Sequence, residues 1–227
     1  MFDVKLPNLR WLEERGSMDS ILNADPTNEQ GMILFYGSSS FTRWKPYWKH
    51  RPLEADIRRK DGSQACVNHG FGTSTSEELL YYYPRLVKPW NPRALVIYCH
   101  GNDFAAGYSA NEVMTLQARL LEWARKDFPG IRFYIETSKP CPRRKDATVA
   151  RARTTWEYEQ LLRDYCATHE DTTLVDHTQI PDLWQEGHMG DFQYPRFELF
   201  VEDGLHFNQD GYDVYRDIYL RVLDDIL

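Results

Sequence analysis

Two periodicities alternate along this 227-residue chain, and few folds accept both. Short apolar runs rich in Val, Ile, Phe and Tyr occupy residues 32–36, 65–68, 94–99, 131–136 and 173–176, each the length of a buried strand. Between and after them, residues 76–86, 111–128, 147–169 and 212–227 carry apolar side chains at three-and-four spacing, the signature of an amphipathic helix. Ser109 followed by Glu112 reads as a capping box opening the second of these helices. Strands joined through helices need crossover connections, so the sheet is mostly parallel and covered on both faces. The expected fold is α/β, a three-layer α/β/α sandwich on a mostly parallel sheet of about five strands. No repeat, linker or low-complexity stretch divides it. One domain over residues 1–227 is expected, with residues 1–30 as a lead-in segment.

The charge balance narrows the partners. The 27 Lys and Arg against 34 Asp and Glu leave a formal charge of −7, which argues against a nucleic acid or an anionic membrane. No apolar run reaches the roughly 20 residues of a membrane span, and no leader of basic then apolar residues is visible at the N-terminus. A cytoplasmic location is therefore expected. The four cysteines, Cys66, Cys99, Cys141 and Cys166, are widely spaced without a Cys-x-x-Cys pair. They read as reduced thiols rather than a zinc or redox site.

Open parallel sheets place their sites in the loops at the carboxyl ends of the strands. After the first strand the chain reads Gly37-Ser38-Ser39-Ser40, a turn presenting serines where a helix begins and where its dipole favours a developing oxyanion. Taken alone, a serine-rich turn that merely caps a helix is the commoner case. Near the C-terminus stands Asp203-Gly204-Leu205-His206. An Asp three residues before a His can fold back within one turn and hold Nδ1, leaving Nε2 to take a proton from a serine. After the third strand comes His100-Gly101-Asn102-Asp103, and after the second the glycine-containing stretch Asn68-His69-Gly70-Phe71-Gly72-Thr73-Ser74-Thr75. An Asn amide and the main-chain N–H groups of a tight turn are suitable donors to an acyl oxyanion. Each motif singly is weak; a turn former explains either loop equally well.

Together and in this order, the four segments resemble the SGNH (GDSL-like) hydrolase family. That family carries Gly-x-Ser early, a glycine-containing turn second, Gly-x-Asn-Asp third and Asp-x-x-His last, and the likeness runs over about residues 32 to 220. The resemblance implies the flavodoxin-like SGNH sandwich and a serine ester hydrolase. It assigns Ser39 as nucleophile, His206 as general base and Asp203 as its orienting partner. The oxyanion hole falls to Asn102 and the amides of Ser39 and of Gly72 or Thr73. Ser38 replaces the acidic residue common before the nucleophile, as in the Gly-Ser-Ser-Ser branch, which Trp44 also fits. The usual oxyanion glycine of the second block falls on Thr73, with Gly72 just before it. His100 takes the place of the glycine that opens the third block, in a packing or supporting role. By position, Ser39→Ala should abolish activity, whereas Ser38→Ala and Ser40→Ala should be mild.

The reaction so implied needs no metal or organic cofactor, and His69, His100 and His206 lie in different loops without a recognisable ligand spacing. An α/β-hydrolase of the nucleophile-elbow type fits poorly, because Gly-x-Ser-x-Gly is absent and the Asp and His stand too close together. A non-catalytic protein holding phosphate or sugar at the Gly37–Ser40 turn is the alternative of a different class. The expected partner is a small-molecule or carbohydrate ester. Arg43, Trp44 and Trp48 are candidates for one pocket wall, with His100 nearby. Residues 181–200, with Trp184, His188, Met189, Phe192, Tyr194, Phe197 and Phe200, are candidates for the other; their rings suit a sugar face, an acyl chain or core packing. Family members take short-chain esters, acetylated sugars, lysophospholipids or thioesters; the acidic chain favours a short acyl group, with acetyl on a carbohydrate as the expected case.

Overall fold

A computed structural model describes residues 19–23, 26–143 and 148–227. Most of the expected lead-in segment therefore lies outside the described residues. In chain order the elements are α1 (Asp19–Leu22), β1 (Ile33–Gly37), α2 (Ser39–Thr42), α3 (Leu53–Asp56), β2 (Cys66–Asn68), α4 (Ser76–Leu86), β3 (Ala94–Tyr98), α5 (Gly101–Ala105), α6 (Ala110–Asp127), β4 (Arg132–Glu136), α7 (Val149–Thr168), β5 (Thr172–Val175) and α8 (Gln209–Val222). The five strands form one sheet in the order β2-β1-β3-β4-β5, every neighbouring pair parallel. β1 thus lies inside the sheet, with β2 added on one side and β3, β4 and β5 on the other, the α/β/α architecture the alternation predicts.

Side chains alternate along each strand, so each strand feeds two separate cores. Leu34, Tyr36, Leu95, Ile97, Phe133 and Ile135 point to one face, where α4, α6 and α7 cover them. Ile33, Phe35, Val96 and Tyr134 point to the other, where Phe41, Trp44 and the tyrosines of α8 cover them. Apolar residues on both faces make the strands read as unbroken hydrophobic runs.

The helices begin where capping side chains allow. The Ser109 box is formed, with Glu112 Oε2 accepting from the Ser109 N–H at 2.7 Å. A second box opens α4, where Thr75 and Glu78 exchange the same bonds. The last helix starts at Gln209 rather than at Tyr212, because Asn208 caps it by accepting from the Gly211 N–H at 3.0 Å. Helix α7 starts at Val149 behind the Thr148 cap; Ala147, its expected first residue, lies outside the described residues. The short helices α2, α3 and α5 carry too few residues to show a periodicity. Cys66, Cys99 and Cys141 are buried and Cys166 half-buried, all four as free thiols.

Candidate active site

The turn after β1 is fixed by close contact. Gly37 pairs with Tyr98 on the neighbouring strand, and a Cβ at Gly37 would collide with the Tyr98 carbonyl. The Ser38 N–H continues the ladder, donating to Tyr98 O at 3.1 Å, before α2 begins at Ser39. The loop after β2 grips α2 from the side. Asn68 Nδ2 donates to Phe41 O at 2.8 Å, and Asn68 Oδ1 accepts from the Gly70 N–H at 3.0 Å. A Cβ on Gly70 would stand 2.5 Å from Phe41 Cβ, so glycine is required there for backbone approach.

The three serines face three ways. Ser39 Oγ lies 2.8 Å from His206 Nε2. Ser40 is buried, and its Oγ accepts from Lys139 Nζ at 2.9 Å. The Ser38 hydroxyl caps nothing, although its carbonyl accepts from the Thr42 hydroxyl.

On the far side of the site Asp203 builds the turn that aims the imidazole. Its Oδ1 accepts from the Leu205 and His206 N–H groups, both at 2.9 Å, and its Oδ2 lies 2.7 Å from His206 Nδ1. Gly204, at φ +61, lets the turn close, and its carbonyl accepts from the Arg143 N–H at 2.9 Å. An ionised carboxylate can only accept, so the Nδ1 proton belongs to the imidazole and the bare Nε2 accepts from the Ser39 hydroxyl. Burial pushes the Asp203 carboxyl up, but the His206 backbone and ring and the Leu205 N–H overcome it and hold the group well below the usual carboxylate range. Burial, reinforced by the Lys139 charge, brings His206 down to about 4 against the support of Asp203.

Asn102 and Asp103 lace the third loop to the second. Asn102 Nδ2 donates to Ser74 O at 2.9 Å, which leaves its other amide hydrogen uncommitted to that carbonyl. Asp103 is fully buried and its Oδ1 accepts from the Ser76 N–H at 2.8 Å, at the start of α4. Burial raises the Asp103 carboxyl to about 6. Ser39 and Asn102 line one open cleft of about 1140 Å³ with Tyr98, Phe104, Tyr108, Lys139, Trp156 and Phe192 among others. Gly72 and Thr73 are not among the described residues lining it. Thr73 adopts φ +64, the left-handed backbone that the family's glycine would accept without cost, and its side chain is exposed.

The expected pocket walls need correction. Trp44 is fully buried, its ring 5.0 Å from that of Tyr212 and its Nε1 donating to Asp56 at 2.8 Å. Trp184 donates to His177 O from the core, and Phe200 packs on Phe207 at 4.8 Å. All three serve the core under α8 because the sheet face there has no other cover. Arg43 leaves the cleft to pair with Asp203, and its guanidinium sits 4.5 Å over Trp48. His100 is buried, with Nε2 2.8 Å from Ser138 Oγ and its ring stacked on Tyr158. Of the segment 181–200, Phe192 and Gln193 line the cleft. His69 is also core, with Nδ1 2.6 Å from Leu86 O, and burial lowers it to about 4. Sequence reasoning missed Lys139 and Trp156. Lys139 follows β4 at its carboxyl end, a loop that the rule for parallel sheets marks as readily as the other three.

Among the described residues, no group of three or more His, Cys, Asp or Glu side chains is placed to hold a metal ion, and no helix is long and apolar enough to cross a membrane.

Solved structures share this fold at low identity. A GDSL-like lipase from Bacteroides thetaiotaomicron superposes with a TM-score of 0.67 at 17% identity, over 94% of this chain and 98% of that one. An acetyl xylan esterase gives 0.63 at 15% identity, over 86% and 100%. An acetyl-xylooligosaccharide esterase from Geobacillus gives 0.59 at 15%, over 85% and 95%. No curated protein matches the chain in sequence. The model of the GDSL-like lipase/acylhydrolase family matches residues 35–214, from within β1 into α8, and the chain belongs to that family of ester hydrolases.

Proposed function

We propose that this protein hydrolyses short-chain acyl esters, acetyl in particular, of a carbohydrate alcohol, through an acyl-enzyme at Ser39. The observation that carries the reading is the continuous chain Ser39 Oγ to His206 Nε2 at 2.8 Å and His206 Nδ1 to Asp203 Oδ2 at 2.7 Å. Residues 167 positions apart in sequence meet at hydrogen-bonding distance with the acceptor nitrogen facing the hydroxyl.

In this mechanism Ser39 Oγ forms a bond to the ester carbonyl carbon while His206 Nε2 takes its proton. The tetrahedral anion is held by the free amide hydrogen of Asn102 and by main-chain N–H groups at the start of α2. Collapse breaks the bond to the alcohol oxygen, which leaves with the proton from His206. Water then gives a proton to His206, attacks the acyl carbon and restores Ser39. The ionised Asp203 holds the ring and balances the imidazolium that forms in each half-reaction.

The carbohydrate reading rests on the cleft and its neighbours in fold. Its wall sets aromatic rings beside amide, hydroxyl and guanidinium groups, which suits a sugar ring better than a long alkyl chain. Two of the structural relatives are esterases of acetylated xylan or xylooligosaccharides. The test is a panel of acyl esters of increasing chain length, run beside acetylated xylan and acetylated monosaccharides. Highest kcat/KM on acetyl esters of sugars is expected. A rate that climbs with chain length beyond butyryl moves the protein to the lysophospholipase or thioesterase class. Absence of turnover with no fluorophosphonate labelling leaves only a sugar- or phosphate-binding role.

A further inference from the structure

Lys139 stands out as a charge with too few partners. Its side chain is 3% exposed, and its one hydrogen-bond acceptor among the described residues is Ser40 Oγ at 2.9 Å. Glu136 and Asp203 act on it only from longer range, and its Nζ otherwise faces the rings of Phe207 at 4.8 Å and Tyr98 at 5.7 Å. An ammonium can donate three hydrogen bonds, and a buried one is costly unless an acceptor or an anion meets it. Burial brings its pKa down to about 8, which still leaves most molecules protonated at neutral pH.

This cation lines the cleft and does not stand alone there. Arg143 and Arg151 line the same cleft, and among its described lining residues the one acid is Glu159, 4% exposed and accepting from the Ser138 N–H. Among the described residues the cleft therefore gathers positive charge, in a chain whose formal charge is −7. A low-dielectric cleft of one sign concentrates ligands of the other.

We infer that the cleft selects esters whose alcohol portion carries a carboxylate, with Lys139 and Arg151 as the residues that recognise it. The inference rests on the reading of Ser39 as the nucleophile toward short acyl esters and adds the charge of the alcohol. A short acyl group fills little of a cleft of about 1140 Å³, so the larger remainder, with its cations, receives the alcohol portion. Phe104, Tyr108 and Trp156 also line the cleft, and Trp156 is 61% exposed, so a ring bearing a carboxylate can meet both kinds of contact.

The test compares acetate release from O-acetylated methyl glucuronoside with release from its neutral glucuronamide counterpart. Wild-type protein is expected to favour the carboxylate by about tenfold or more in kcat/KM, a preference that high salt weakens. In Arg151→Gln and in Lys139→Met the ratio falls toward one; Arg151→Gln, at an exposed position, keeps the test valid should Lys139→Met not fold. Equal or reversed rates, in a protein that still releases acetate and is labelled at Ser39, overturn the inference and leave the hydrolase reading standing. So does a preference unchanged in both variants, or a stronger preference for a succinyl half-ester over an acetyl ester, which would put the carboxylate on the acyl side. No acetate from any ester and no label at Ser39 would remove both readings together.

Discussion

Arg43 Nη1 stands 3.1 Å from Asp203 Oδ2, the same carboxylate oxygen that meets His206 Nδ1 at 2.7 Å. The ion pair ties the end of the short helix that begins at Ser39 to the turn that holds His206, 160 residues away. Asp203 thus has an acceptor role toward four donors, two main-chain and two side-chain.

Removing one of the four should weaken the site without dismantling it. The two side chains are 24% and 36% exposed, so solvent screens the pair and its worth is about 1 kcal/mol or less. Arg43→Met is expected to lower kcat/KM by up to about fivefold, while Asp203→Ala lowers it by about a thousandfold or more. Steady-state kinetics on 4-nitrophenyl acetate distinguishes the two.

The pH profile follows from His206, which as the proposed general base accepts a proton only when neutral. Its value of about 4 lies below the ordinary 6.5, so kcat/KM should stay level from neutral pH down to about 5 and fall below about 4. Stability moves in the same sense. On acidification the unfolded chain takes up this proton first, near 6.5, so the histidine's contribution drains between about 6.5 and 4. Removing the Lys139 charge takes away one cause of the depression, so Lys139→Met should shift the acid limb upward, measured as the midpoint of log kcat/KM against pH.

Ser40→Ala, mild by sequence position alone, acquires a cost in the folded protein. It removes the one hydrogen-bond acceptor that a buried ammonium has among the described residues, and a charge so stranded costs roughly 1–3 kcal/mol. The expected outcome is a lower midpoint in urea with retained fluorophosphonate labelling at Ser39. Ser38→Ala, whose hydroxyl makes no capping bond, should leave that midpoint nearly unchanged.

Gly70→Ala should harm both stability and rate. The added methyl carbon would stand 2.5 Å from Phe41 Cβ and 2.7 Å from the Thr42 nitrogen, which pushes on the helix that carries Ser39. The Phe41 and Thr42 backbone it meets leaves little to yield, so about 3 kcal/mol or more is expected, seen as a lower Tm together with a lower kcat.

These contrasts mark where the sequence was legible. The sheet could be read because strands buried on both faces must be apolar throughout, as Ile33–Gly37 and Ala94–Tyr98 are. The segments that carry Ser39 and Asn102 could be found because parallel sheets put their loops at one end, and the Asp203–His206 segment by its spacing, but each was weak alone and the resemblance to the SGNH family joined them into one site. The cleft wall could not. Trp44, in the bend after α2, fills the core under α8, whereas Trp156, on α7, faces the cleft, a difference set by packing rather than by spacing. Arg43 looked like a wall residue because its partner, Asp203, lies far along the chain.

The account depends on Ser39 being the atom that attacks. Intact-protein and peptide mass spectrometry after treatment with a fluorophosphonate reads this directly. One adduct on the peptide bearing Ser39 is expected, absent in Ser39→Ala and slowed by about a thousandfold or more in His206→Ala. A Ser39→Ala protein that still forms the adduct and keeps its full esterase rate would contradict it.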